Sequence, residues 1–225
     1  MRLLSRRNTL SACLLLVVFG LNGCVSSKVE QLMTAPAGQI MEGESIVVLG
    51  RRQNFRHQTE ADFTDCVYNS LLRRYRLPVK PEEQFMDEMF PWFQPRTAPR
   101  DQESLARMMQ NPALAARLQE IGTRYVVWLD GVTSRTDDGG TMSCSVGPGG
   151  GGCLGLVWWE NEAVYEASVW DMASVQTMGK ITVDASGTSW VPAVILPIPL
   201  IAPTQSAACS GVARQIQEFL LSPAS

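Results

Sequence analysis

Residues 163–185, AVYEASVWDMASVQTMGKITVDA, decide the class of fold. Near their end Ile181, Val183 and Ala185 alternate with Lys180, Thr182 and Asp184. A period of two with one apolar and one polar set marks a strand in a sheet with one wet face. Ala163 to Met172 reads as the strand before it, and the join Ala173 to Thr177 is short. Leu154 to Trp159 precedes them across Glu160-Asn161-Glu162. Joins of this length make the strands an antiparallel meander. Further upstream, Arg124 to Thr133 is rich in β-branched and aromatic side chains and reads as another strand. Between these, Ser134 to Gly155 is expected to be a long loop. Its tip, Gly147-Pro148-Gly149-Gly150-Gly151-Gly152, cannot hold one conformation unaided.

The flanks of the meander read differently. Ser45 to Leu49 is a short β-branched run, the first strand of the domain, followed by a polar loop, Gly50 to Thr59, that carries Arg51, Arg52, Arg56 and His57. Glu60 to Arg76 places Phe63, Cys66, Val67, Ser70 and Leu71 on one helical face, and Pro78 and Pro81 stop it. Glu82 to Phe93 is a second helical stretch, interrupted at Pro91. Asp101 to Gln110 and Pro112 to Ile121 are two short helices, the second with Asn111 as its cap and Pro112 in its first turn. Val191 to Pro203 is uncharged and apolar but broken by Pro192, Pro197, Pro199 and Pro203. Thr204 then opens a final helix to about Leu221, with Cys209, Val212, Ala213, Ile216, Phe219 and Leu220 on its stripe. The order implies an α+β fold: a mostly antiparallel sheet with helices packed on one face, in a single domain over residues 44–225.

Composition excludes several functions. The chain has 225 residues, a formal charge of −3 and one histidine. No basic face is available to displace counterions from nucleic-acid phosphates. A single histidine leaves no material for a multi-histidine zinc site.

The N-terminus carries an address. Arg2, Arg6 and Arg7 form a positive region and Leu10 to Leu21 an apolar run too short for a permanent membrane span. It ends in Leu21-Asn22-Gly23-Cys24, which resembles the lipobox of bacterial lipoproteins. That resemblance implies cleavage before Cys24 and acylation of Cys24, with two or three acyl chains, enough for stable anchoring. Val25, Ser26 and Ser27 follow with no aspartate, which resembles lipoproteins sorted to the outer membrane. Cleavage removes three arginines and no acids, so the charge falls from −3 to −6. Residues 1–23 are thus expected as signal peptide and 24–43 as a lipidated flexible tether, small and polar through Thr34, Ala35, Pro36, Ala37 and Gly38.

The domain itself resembles the small α+β domain of envelope proteins. The residues that carry this are Gly122-Thr123-Arg124-Tyr125-Val126-Val127, Trp170-Asp171 before a turn, Gly179-Lys180 and the closing helix. Such domains occur in the curli secretion lipoprotein, the lipoprotein activators of penicillin-binding proteins and the N-terminal part of the Tol-Pal propeller protein. The resemblance implies a scaffold or activator, not a catalyst.

Cysteines support an oxidising compartment. Cys13 leaves with the signal peptide and Cys24 takes the lipid, so Cys66, Cys144, Cys153 and Cys209 remain. Four cysteines allow three pairings. Cys144 and Cys153 flank the glycine tip, whereas Cys66 and Cys209 lie on the stripes of the first and last helices, which favours those two pairs. Four free thiols is the competing state.

Chemistry-bearing motifs are sparse. Gly149 to Gly152 lacks the lysine and hydroxyl that a phosphate loop needs. His57 has no nucleophile placed beside it by a motif. Glu82, Glu83, Asp87 and Glu88 sit at helical spacing as a solvated face, and Asp137 and Asp138 in the loop. No catalytic residue, metal or cofactor is therefore assigned. Two apolar features are candidate contact surfaces or core: Met89-Phe90-Pro91-Trp92-Phe93 and Val191 to Pro203. Phe90, Trp92, Phe93, Gly149 and Gly150 are the expected partner contacts. The function expected is a non-enzymatic binding or scaffolding component at the outer membrane, its domain in the periplasm, held to the membrane by lipid and meeting another envelope protein. A carrier of a small apolar ligand or lipid is the alternative.

Overall fold

The computed structural model describes residues 25–34, 40–51 and 58–221. In chain order the elements are β1 (Val25–Met33), β2 (Ser45–Gly50) and α1 (Ala61–Asn69), which a π-helical turn (Ser70–Arg74) prolongs. Then follow β3 (Val79–Lys80), α2 (Glu82–Glu88), α3 (Gln102–Met108), α4 (Pro112–Glu120), β4 (Thr123–Gly147), β5 (Gly150–Asp171), β6 (Gln176–Ile195) and α5 (Thr204–Leu221). The sheet order is β1-β6-β5-β4-β2-β3. β4, β5 and β6 are neighbours joined by turns of a few residues, which only antiparallel strands permit. β2 runs parallel to β4, with Ile46 opposite Tyr125 and Leu49 opposite Trp128, and parallel to β3, with Ile46 opposite Val79. The sheet is mixed and mostly antiparallel, and the class is α+β.

Two expectations about the strands give way. Ser134 to Gly155 is not a loop: β4 continues to Gly147 and β5 starts at Gly150, so only Pro148 and Gly149 lie between them. Glycine and aspartate, here Asp137, Asp138, Gly139 and Gly140, lower strand propensity, but a cross-strand partner satisfies the backbone whatever the side chains are. Gly140 and Gly155 show how close the pairing is. At φ +98° and +149°, a Cβ on either would lie 2.1 and 2.2 Å from the carbonyl oxygens of Leu156 and Thr141. The second correction concerns the tether, whose first part is β1, beside β6 at the sheet edge. Val25 and Val29, four residues apart, share one face of that strand and are half-buried, which gives the segment an inward side. The signal peptide, Cys24 and His57 lie outside the described residues.

The chain divides into two compact units. Among the described residues, one unit comprises 25–26, 135–162 and 186–204, and the other 27–134, 163–185 and 205–221. β4, β5 and β6 each contribute to both.

The larger unit holds most of the core. Ile46, Val47, Val48 and Leu49 of β2 are all buried, so both faces of that strand are covered. On one face Val47, Leu49, Val126, Trp128, Trp170 and Met172 cluster with Phe85 of α2, Leu105 of α3 and Leu114 and Leu118 of α4. On the other, Tyr165 of β5 stacks on Phe63 of α1, ring centroids 3.4 Å apart, and Val183 of β6 meets Gly211 of α5. Helices therefore lie on both faces, not on one. The sequence of β2, four consecutive apolar residues without alternation, is the pattern of a doubly covered strand. α1 and α5 are joined by Cys66–Cys209, with S–S 2.00 Å and Cα–Cα 6.2 Å. Local signals set the short helices: Asp101 accepts from Ser104 N at 2.7 Å, and Asn111 from Ala113 N at 3.0 Å. Among the described residues no helix is long and apolar enough to cross a membrane.

Candidate functional site

The smaller unit is built from ends of the long strands. Cys144 of β4 and Cys153 of β5 are disulfide-bonded, with S–S 2.02 Å and Cα–Cα 4.0 Å, and close the base of the Pro148-Gly149 turn. Gly149 and Gly150 are exposed, and a Cβ on either would touch nothing within 4 Å. β6 ends at Ile195, and the chain folds back through bridges between Ala193 and Pro197 and between Trp190 and Leu200. Trp190 and Leu200 exchange backbone hydrogen bonds of 2.9 and 2.7 Å. The four prolines that bar a helix here are compatible with a narrow returning hairpin.

That hairpin settles whether Val191 to Pro203 is core or surface. Ala193 and Ala202 are buried, but Val194, Ile195, Leu196, Ile198 and Ile201 are exposed by 57–75%. Pro192, Val194, Ile195, Leu196, Ile198 and Leu200 line an open, almost wholly apolar groove. Val146 and Leu154 beside the glycine turn are also exposed. The smaller unit carries the largest run of exposed apolar side chains among the described residues.

The other expected contact set divides. Phe93 is buried, edge-on to Phe85 at 5.0 Å and stacked near Trp128 at 6.5 Å, so it is core and not a contact residue. Trp92 is half-buried against the same cluster, and only Phe90 is exposed. At a helix break, three rings close in sequence point in different directions, and the largest cluster claims those facing it.

Two buried polar clusters in the larger unit were not visible in the sequence. Tyr165 donates to Glu60, which also accepts from Gln205 Nε2 at 2.9 Å, while Thr133 Oγ1 lies 2.9 Å from the Tyr165 hydroxyl. Burial and the Glu60 carboxylate push the Tyr165 phenol up to about 12 from its ordinary 10. A raised folded value makes the neutral phenol a source of stability that is whole below pH 10 and lost as pH rises from 10 through about 12. Tyr165→Phe should flatten that alkaline loss, on the order of 2 kcal/mol, in denaturation curves recorded across this pH range.

The second cluster is ionic. Arg124 Nε lies 2.9 Å from Asp171 Oδ1, Arg124 Nη2 donates to Asp171 Oδ2 at 2.9 Å, and Glu44 stands 3.5 Å away. Burial opposes the guanidinium charge, but Asp171, Tyr125 and Glu44 together raise its pKa above the ordinary value. Asp171 also accepts from the backbone N–H of Ala173 at 2.9 Å, which fixes the β5–β6 turn. Both clusters join elements that are distant in sequence. Of the acidic set in α2, Glu88 pairs with Lys80 at 2.5 Å; burial opposes its ionisation, but Lys80 and Gln84 hold its carboxyl below the ordinary range. Among the described residues no group of three histidine, cysteine or acidic side chains could hold a metal ion.

The disulfide at the glycine turn closes about ten residues, which stabilises by roughly 2 to 3 kcal/mol in the chain-entropy account. Its effect is confined to the tip. Cys144→Ser with Cys153→Ser should speed limited proteolysis within Gly147 to Gly152 while leaving the melting of the larger unit within about 1 °C.

No family model matches the chain, and no curated protein matches it. Among solved structures, a PelC dodecamer variant from Paraburkholderia phytofirmans is 14% identical and covers 87% of this chain and 99% of that one, with a TM-score of 0.39. A second PelC dodecamer from the same organism is 15% identical, covers 87% and 98%, and has a TM-score of 0.38. Values this low do not establish a common fold.

Proposed function

We propose that the protein is a lipid-anchored, non-enzymatic binding or scaffolding component of the cell envelope, held at the outer membrane through Cys24. The observation that carries the binding role is the exposed apolar hairpin of the smaller unit, with Val194, Ile195 and Leu196 at least 70% exposed. Contiguous apolar surface of this kind is unfavourable in water and marks a contact site. The lipobox supports the anchor. The carrier reading would need an enclosed apolar cavity under the proline-rich segment; the groove found there is open.

Cys24→Ser tests the anchor. The substituted protein is expected to lack acyl mass and to lose normal processing. If it still pellets with the outer membrane and its mass after processing is that of the wild type less only the sulfur-to-oxygen change, anchoring through Cys24 is wrong.

A further inference from the structure

The occupant of the exposed hairpin can be inferred from where charge stops. Gly139 to Trp159 and Ala185 to Ala213 contain no charged residue, runs of 21 and 29 residues in a chain of 225. Among the described residues of the smaller unit, charge is confined to Arg135, Asp137, Asp138, Glu160 and Glu162, all at the ends of its strand segments remote from the turns. Next to them come the tryptophans. Arg135 lies over the Trp159 ring at 5.3 Å, and Trp158 and Trp190 are 6.2 Å apart, Trp190 being 39% exposed. Beyond Trp190 the side chains turn apolar and exposed, ending at Ile195, Leu196 and Ile198. Charge, then tryptophan, then uncharged apolar surface is the order that a membrane–water interface selects. A protein partner would more often be met by a polar, charged rim around the apolar centre, and this rim is missing on the turn side.

The N-terminus gives a second, independent pointer. Val25 and Ser26 belong to the smaller unit, Ser26 Oγ lying 2.9 Å from Ser186 Oγ and Val25 packing against Gly187. The chain from Val25, the residue that follows Cys24 in sequence, is tied to the strand that leads to Trp190 and the turn. Five residues of strand from Trp190 to Ile195 span about 17 Å, roughly half the hydrocarbon thickness of a bilayer.

We propose that the Val194 to Ile198 turn inserts among the acyl chains of the bilayer to which Cys24 is anchored, with Trp158 and Trp190 at the interface. The proposal rests on the proposed anchor for the position of Cys24 only. Its test uses the processed full chain reconstituted in phosphatidylethanolamine–phosphatidylglycerol vesicles, with an environment-sensitive nitrobenzoxadiazole probe on Leu196→Cys, and on Ala113→Cys, an exposed position of α4, as the control. Ile198→Cys replaces Leu196→Cys if that variant misfolds. The probe at 196 is expected to shift its emission to the blue, to be quenched by brominated acyl chains, and to lose about tenfold of its quenching by aqueous iodide, an ion that hydrocarbon excludes. The probe at 113 should show none of these. A vesicle-bound protein whose 196 probe stays open to iodide would overturn the insertion and leave the anchor standing. Protection that appears without vesicles and grows with protein concentration would assign the hairpin to a second copy and also overturn it. Failure of the protein to associate with vesicles at all would sink the anchor and the insertion together.

Discussion

Replacing Cys66 and Cys209 together by alanine should lower the stability of the larger unit by about 4 to 5 kcal/mol, because the bridge closes a loop across 143 residues of sequence. That is a large fraction of the 5 to 15 kcal/mol typical of a whole domain. For a chain of this size it corresponds to a fall in Tm of roughly 10 to 20 °C. The bridge joins α1 to α5, the first and last helices, and so ties together elements that the β-meander and the smaller unit separate in sequence. Cys209 is fully buried, so alanine also forfeits packing, which acts in the same direction. Calorimetry of the oxidised double variant against wild type reads the effect. A change under about 2 °C would mean that the helices hold their places without the bridge.

The second large effect is expected from Arg124→Met. The Asp171 side chain is only 4% exposed, and Arg124 is the cation that faces it at 2.9 Å. Removing one member of a buried pair leaves an uncompensated charge, which costs about 3 to 5 kcal/mol, far more than losing a surface pair. Arg124→Met with Asp171→Leu together should recover much of the loss, since the pair is replaced by apolar volume. The remaining deficit would be the loss of the Asp171 bond to Ala173 N. A double-mutant cycle by chemical denaturation measures both, and additivity of the two single changes would show that the pair does not interact.

How much of this fold is legible in the sequence depends on which interaction decides each element. α5 is bounded at Thr204 and Leu221 as its apolar stripe requires, and Asn111-Pro112 fixes the start of α4 by its own cap. These are local causes. The two disulfides pair as helix stripes and loop ends suggest. The long extensions of β4 and β5 are a different case: Gly139-Gly140-Thr141-Met142-Ser143 has little strand propensity, and only the partner strand, whose glycines allow the backbones to approach, makes it one. β1 was hidden for the same reason, its inward face being two valines in a polar run. Helices on both faces are signalled by the unbroken Ile46-Val47-Val48-Leu49 run, the pattern of a strand buried on both sides.

The site was legible in part. The uncharged, proline-broken run 191–203 marks the exposed hairpin, while Phe93 shows that an aromatic-rich stretch on its own does not. Burial of aromatics depends on which cluster lies beneath them, and that is set by residues far away in sequence, here Phe85 and Trp128. The Glu60–Tyr165–Gln205 and Arg124–Asp171 clusters gather residues up to 145 positions apart, with no local motif to announce them.

Anchoring through Cys24 is the claim on which the functional account turns. Tandem mass spectrometry of the N-terminal peptide from membrane-extracted protein reads it directly. The expected peptide begins at Cys24 and carries a diacylglyceryl thioether, with or without a further acyl group on its amine. A peptide that runs uncut through Gly23-Cys24, or one that begins at Cys24 with an unmodified thiol, would contradict it.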